Sequence, residues 1–121
     1  RWTSQWFEPY YGTNYWNDSG HQWYDLMMLH RTPPDSLYLS TPRSVEEYEY
    51  LASKGMSNFG LLDVTKVQNF SHDLHDCHDV SDQEVQNIID ILRHVVTPLQ
   101  EKGLLDRAYV YGFDEFPTTC E

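Results

Sequence analysis

Basic residues are scarce in this chain. Eight Lys and Arg stand against 19 Asp and Glu, a formal charge of −11 at pH 7. That balance repels polyanions, so nucleic acid is not an expected partner. Much of the acid excess falls in residues 72–90, which hold six carboxylates and no Lys or Arg. Long apolar runs are also missing, so no membrane span is expected, and no signal-peptide pattern is found. Cysteine is limited to Cys77 and Cys120, enough for one disulfide or none. No internal repeat or low-complexity tract interrupts the 121 residues, the length of one small domain.

Aromatic rings are plentiful and unevenly spread. Half of them lie in residues 1–24: Trp2, Trp6, Phe7, Tyr10, Tyr11, Tyr15, Trp16, Trp23 and Tyr24. Neither a strand nor a helix period holds before residue 19, and Pro9, Gly12 and the Asn-Asp-Ser-Gly run mark turns. This reads as a long aromatic loop. Such rings, Trp16 among them, either stack on sugar rings or form a hydrophobic cluster beneath the loop.

From there capped helices alternate with apolar strands. A helix from Ser19 or Gly20 to His30 would bury Trp23, Leu26, Met27 and His30, and Pro33-Pro34 would end it. A short strand is expected over 36–40. Ser44 with Glu47 forms a capping box for a second helix with a Val45, Tyr48, Leu51 and Ala52 stripe, closed by Gly55. Residues 58–64 read as a strand buried on both faces. Ser81 with Glu84 opens the most amphipathic helix, burying Val85, Ile88, Ile89, Leu92, Val95, Val96 and Leu99. Pro98 should loosen its last turn, and Gly103 ends it. A last strand covers 107–113. The α-β-α-β-α-β order predicts parallel strands with outer helices, an α/β class.

Chemistry-bearing segments all fall on strand-to-helix links or strand ends, the face where such folds hold their sites. One is His72-Asp73-Leu74-His75-Asp76-Cys77-His78-Asp79, in which His72, His75 and His78 with neighbouring carboxylates or Cys77 make a rival zinc- or copper-site reading. The other reading is a solvated acidic loop. Cys77 and Cys120 each follow a predicted strand on that side and are expected to lie close, as a possible disulfide. Asn17-Asp18-Ser19 and Asn69-Phe70-Ser71 have the form of glycosylation acceptors at Asn17 and Asn69. With few lysines, they point toward an extracellular or lysosomal setting.

The last strand, Ala108-Tyr109-Val110-Tyr111-Gly112-Phe113, runs directly into Asp114-Glu115-Phe116-Pro117. Side chains adjacent on a regular strand point to opposite faces. Asp114 and Glu115 share a site only where the strand breaks, which Gly112 and Pro117 would ensure. Through Lys102-Gly103-Leu104-Leu105-Asp106-Arg107 and this segment, the chain resembles the catalytic domain of glycoside hydrolase family 123. The likeness extends more loosely over the preceding helix and residues 55–64.

That resemblance implies a TIM barrel, cleavage of β-linked N-acetylgalactosamine, a carbohydrate partner and no metal or other cofactor. It implies Glu115 as general acid/base and Asp114 as acceptor of the acetamide N–H, with the sugar's 2-acetamido oxygen as nucleophile. Tyr109 or Tyr111 would then orient the acetamide, or belong to the barrel core. Such a barrel needs about 250 residues. The expectation is therefore a fragment, 1–121, of a partial (β/α) barrel-like domain whose remaining parent chain completes it. The alternative is a non-catalytic extracellular structural or carbohydrate-binding protein that keeps the same frame.

Overall fold

A computed structural model describes residues 18–35, 39–67 and 80–112. Among them are helices α1 (Asp18–Leu29), α2 (Val45–Ser53) and α3 (Asp82–Glu101), and strands β1 (Phe59–Asp63) and β2 (Ala108–Tyr111). Short 3₁₀ turns follow β1 at Val64–Lys66 and precede β2 at Leu105–Arg107. The strands pair in parallel, Phe59 beside Ala108 and Asp63 beside Tyr111, with an irregularity between Gly60 and Leu62. The chain is thus a mixed α/β structure with a two-stranded parallel sheet among the described residues, and the pairing of the last two strands is as expected.

Residues 36–38 of the expected first strand lie outside the described residues, but both flanks are informative. Gly60 N donates to Asp35 Oδ1 at 2.9 Å and Asp63 N donates to Leu39 O at 2.8 Å. Two N–H groups of β1, those of Gly60 and Asp63, are thus taken by residues on either side of positions 36–38. All five β1 residues are buried, as a parallel strand covered on both faces requires.

Helices α2 and α3 begin, and all three helices end, for local reasons. Ser81 Oγ accepts from Glu84 N at 3.3 Å, and Glu84 Oε2 accepts from Ser81 N at 2.8 Å, the reciprocal box expected for α3. Helix α3 runs through Pro98 to Glu101. On α2 only half of the expected box forms. Ser44 Oγ accepts from Glu47 N, while the Glu47 carboxylate is drawn inward to Tyr24 and Arg43.

All three helices end in the same pair of bonds. In α2, Gly55 N reaches Ala52 O and Met56 N reaches Leu51 O; in α3, Gly103 N reaches Gln100 O and Leu104 N reaches Leu99 O. Each glycine has positive φ, 96° and 66°. This is the Schellman stop, and the residue after it, Met56 or Leu104, turns into the core. Helix α1 stops the same way at Arg31, φ 59°, before Pro33-Pro34 is reached.

The core joins Tyr48 and Leu51 of α2, Met56 just after it, Phe59, Leu61 and Leu62 of β1, and Val95, Leu99 and Leu104 around the end of α3. Tyr48 stacks on Phe59 with centroids 4.5 Å apart, and its hydroxyl donates to Gly60 O at 3.0 Å. The expected inner stripe of α1 is corrected here. Trp23 and Leu26 are 50% and 45% exposed, whereas Tyr24 is 2% exposed.

The face turned toward α2 carries His21, Tyr24, Asp25 and Met28, the same helical spacing displaced by two residues. Polar contacts set that phase: Tyr24 donates to Glu47, Asp25 binds Tyr50 and Lys54, and His21 stacks on Tyr50. On α3, Val85 and Ile89 are exposed because its buried residues near the core, Val95 and Leu99, sit in the C-terminal half.

Two outcomes are expected. A left-handed backbone is costly for any side chain but glycine. Arg31→Gly should therefore raise the unfolding free energy by about 0.5–1 kcal/mol in urea titration, whereas Gly55→Ala should lower it. Burial, its first cause, holds the Tyr48 phenol well above its ordinary range. Both states keep that phenol neutral below about pH 10. Above it, the unfolded tyrosine loses its proton while the buried one retains it. Stability should fall by about 1.4 kcal/mol per pH unit from this group. Denaturant titrations across that range should show a shallower loss in Tyr48→Phe.

Candidate functional site

A parallel ladder fixes which side chains of β2 share a face. Tyr109 and Tyr111 project to one side and Ala108 and Val110 to the other. Ala108 packs against the hydrophobic core. Tyr109 stands beside Gly60 in register, and its hydroxyl donates to Asp35 Oδ2 at 2.7 Å. Gly60 has no side chain to stand in the path of that ring, and its own N–H takes the other oxygen of the same carboxylate. One buried acid, 0% exposed, thus ties the segment after α1, the backbone of β1 and the side chain of β2. Burial first, and the Asp35 hydrogen bond next, raise the Tyr109 phenol above its ordinary range.

A second polar layer continues from Gly60. Tyr48, whose hydroxyl donates to Gly60 O, accepts from Arg43 N at 3.1 Å. Arg43 Nε lies 3.4 Å from Glu47 Oε1, and its guanidinium sits 5.7 Å from the centre of the Tyr24 ring. Tyr24 donates to the same Glu47 oxygen. Arg43 Nη1 is buried with no hydrogen-bond partner among the described residues. A buried carboxylate left alone would be expensive, so the pairing of Glu47 with Arg43 is what permits both inside. Sequence reasoning passed over Asp35, Arg43 and the inward role of Glu47. The available signal was an acid placed directly after Pro33-Pro34 and before an expected strand.

The exit of the sheet has its own small structure. Asp63 ends β1, is 1% exposed, and lies beside Tyr111. Its Oδ1 accepts from Thr65 N at 2.9 Å and Thr65 Oγ1 at 2.7 Å, capping the 3₁₀ turn that follows. A Cβ placed on Gly112 would approach Val64 Cγ2 to 3.1 Å, so the chain leaves β2 pressed against that turn. Asp114 and Glu115 come three and four residues after Tyr111 in the sequence.

Of the residues predicted to form a site, Tyr109 and Tyr111 are described. The Tyr109 hydroxyl donates to Asp35 Oδ2. Trp16, Asn17, Asn69, Cys77, Asp114, Glu115 and Cys120 lie outside the described residues, as do His72, His75 and His78. Among the described residues no three His, Cys, Asp or Glu side chains gather as a metal site would need. No described helix is long and apolar enough to cross a membrane. On the opposite, helix-to-strand side is a cleft of about 280 Å³ lined by Met28, Arg31, Pro33, Lys54, Gly55, Met56 and Ser57. Lys54 there is held by Asp25 at 2.9 Å.

Asp35→Ala should remove about 3 kcal/mol of unfolding free energy, because it takes away the acceptor shared by the Gly60 N–H and the Tyr109 hydroxyl. Tyr109→Phe, which takes away one donor and keeps the ring, should cost less, about 1.5 kcal/mol. Equal, near-zero losses in chemical denaturation would contradict this account of the tie.

Comparison with protein-family models, with curated proteins and with solved structures finds no match to this chain.

Proposed function

We propose that this chain carries part of the catalytic face of a glycoside hydrolase that cleaves β-linked N-acetylgalactosaminides with substrate assistance. The observation that carries the reading is the adjacent pair Asp114-Glu115, three and four residues in sequence after the end of a strand that pairs in parallel with its predecessor. Parallel strands in α/β folds collect their chemistry at their C-terminal ends. Family resemblance through residues 102–115 names the reaction. On this reading the described α/β unit is one part of a (β/α) barrel, completed by the rest of its parent chain. The protein works without a cofactor on extracellular or lysosomal glycans.

Adjacent acids suit this chemistry better than ordinary retention. An ordinary retaining enzyme sets two carboxyl groups about 5–5.5 Å apart on either side of the sugar, one of them the nucleophile. Neighbours in sequence are badly placed for that. With a 2-acetamido sugar the nucleophile comes from the substrate. The acetamide oxygen bonds to C1 as the C1–O bond to the leaving group breaks, and Glu115 gives its proton to that leaving oxygen. Asp114 accepts the acetamide N–H and balances the positive oxazolinium. Glu115, now a carboxylate, takes a proton from water as the water oxygen bonds to C1 and the ring opens. Trp16 would offer a flat face to the sugar, and Tyr111 would line the exit of β2.

Turnover of matched β-galactosides with and without the 2-acetamido group, by the full-length protein, tests this. The acetamide-bearing substrate should be cleaved and its partner left nearly untouched. Glu115→Gln should lower kcat on a poor leaving group by roughly 10²–10⁴. Equal rates on the two substrates would exclude substrate assistance. No hydrolysis of either by folded protein would favour a non-catalytic carbohydrate-binding role.

A further inference from the structure

We propose that Asp35 is a positioning residue for the exit of β2, acting through Tyr109 to hold the strand that leads to Asp114 and Glu115. The proposal rests on the hydrolase reading above for its kinetic consequence, but its geometry stands on described residues alone.

Strand β2 has four residues, and its ladder with β1 already carries an irregularity between Gly60 and Leu62. So short a ladder defines its register with few bonds. A slip of one residue moves a strand by roughly 3.3 Å and sends every side chain to the other face. Asp35 adds a lock that does not belong to the ladder. Its Oδ1 is fixed by Gly60 N of β1, and its Oδ2 receives the hydroxyl of Tyr109, the residue paired with Gly60 in register. The two bonds meet on one rigid, fully buried carboxylate, so a displacement of β2 along β1 would break one of them.

Tyr109 lies five residues before Asp114 in the sequence. A reacting group displaced by about 1 Å can lose a hundredfold in rate. Position along β2 is therefore a catalytic quantity, and Asp35 is the group that sets it.

Kinetics of Asp35→Asn, Tyr109→Phe and the double variant on a β-N-acetylgalactosaminide test this, at a temperature where each is folded. Each single change should lower kcat roughly ten- to a hundredfold with KM within about threefold. The double variant should be no slower than the slower single, since both remove the same link. Amide hydrogen exchange at Tyr111 and Gly112 should accelerate in all three. Val95→Ala, a core change on α3, supplies the control for lost stability, and its kcat should stay at the wild-type value.

Variants that lose stability like this control but keep wild-type kcat would overturn the proposal, as would multiplying effects in the double. If the wild-type protein hydrolyses nothing, the functional reading fails by itself. Exchange at Tyr111 and Gly112 then decides separately whether Asp35 holds the strand, and unchanged exchange overturns it.

Discussion

The carboxylate of Asp35 is the contact on which the rest of this arrangement depends. A buried acid survives only when its oxygens are met by donors, and both oxygens here are met by groups far away in sequence. Local geometry prepares it. Two prolines restrict the chain immediately before it, Pro34 is buried, and Asp35 N turns back to Pro33 O at 2.8 Å. The same turn that ends the excursion from α1 thus delivers the acid to the start of β1. Removing it would leave the first two expected strands without a shared anchor at that end.

Around this anchor the polar interior is layered. Tyr48 joins α2 to β1 through the Gly60 carbonyl while its ring stacks on Phe59, so one side chain provides both apolar area and a directed bond. Glu47, one residue earlier, faces Tyr24 and Arg43 and thereby rotates α1 about its axis. The consequence is an outward row of Trp23, Leu26 and Leu29, apolar residues left on the far side once Tyr24 was taken inward.

The legible parts of the fold were those set by local chemistry. The caps at Ser44 and Ser81, the stops at Gly55 and Gly103, and the buried strand β1 follow from residue types a few positions apart. The phase of α1 was not legible, because counting apolar residues cannot see a tyrosine whose hydroxyl has a buried acceptor. Arg31 hid a helix stop for a related reason: the motif is made by backbone bonds, and glycine is only its usual tenant. Asp35 was missed because its partners, Gly60 and Tyr109, are distant in sequence and neither marks an acid-binding position by type. For the site itself, the sequence pointed to Asp114 and Glu115, which lie outside the described residues; the nearest described residues are Tyr111 and Gly112 at the end of β2.

The shared form of the helix stops has a bearing on the order in which the structure assembles. Leu51 with Met56, and Leu99 with Leu104, are joined by bonds spanning five residues, so each helix can collapse onto its own following segment at small entropic cost. The sheet cannot begin that way, since its pairs run from Phe59–Ala108 to Asp63–Tyr111 across the whole of α3. Contacts of long sequence separation are slow to close. Two helix-and-strand units would form early and independently, and the Asp35–Tyr109 bond, spanning 74 residues, would be made when they dock. The residue that locks the strands is then among the last to find its place, so β2 remains free to sample its register until the final step.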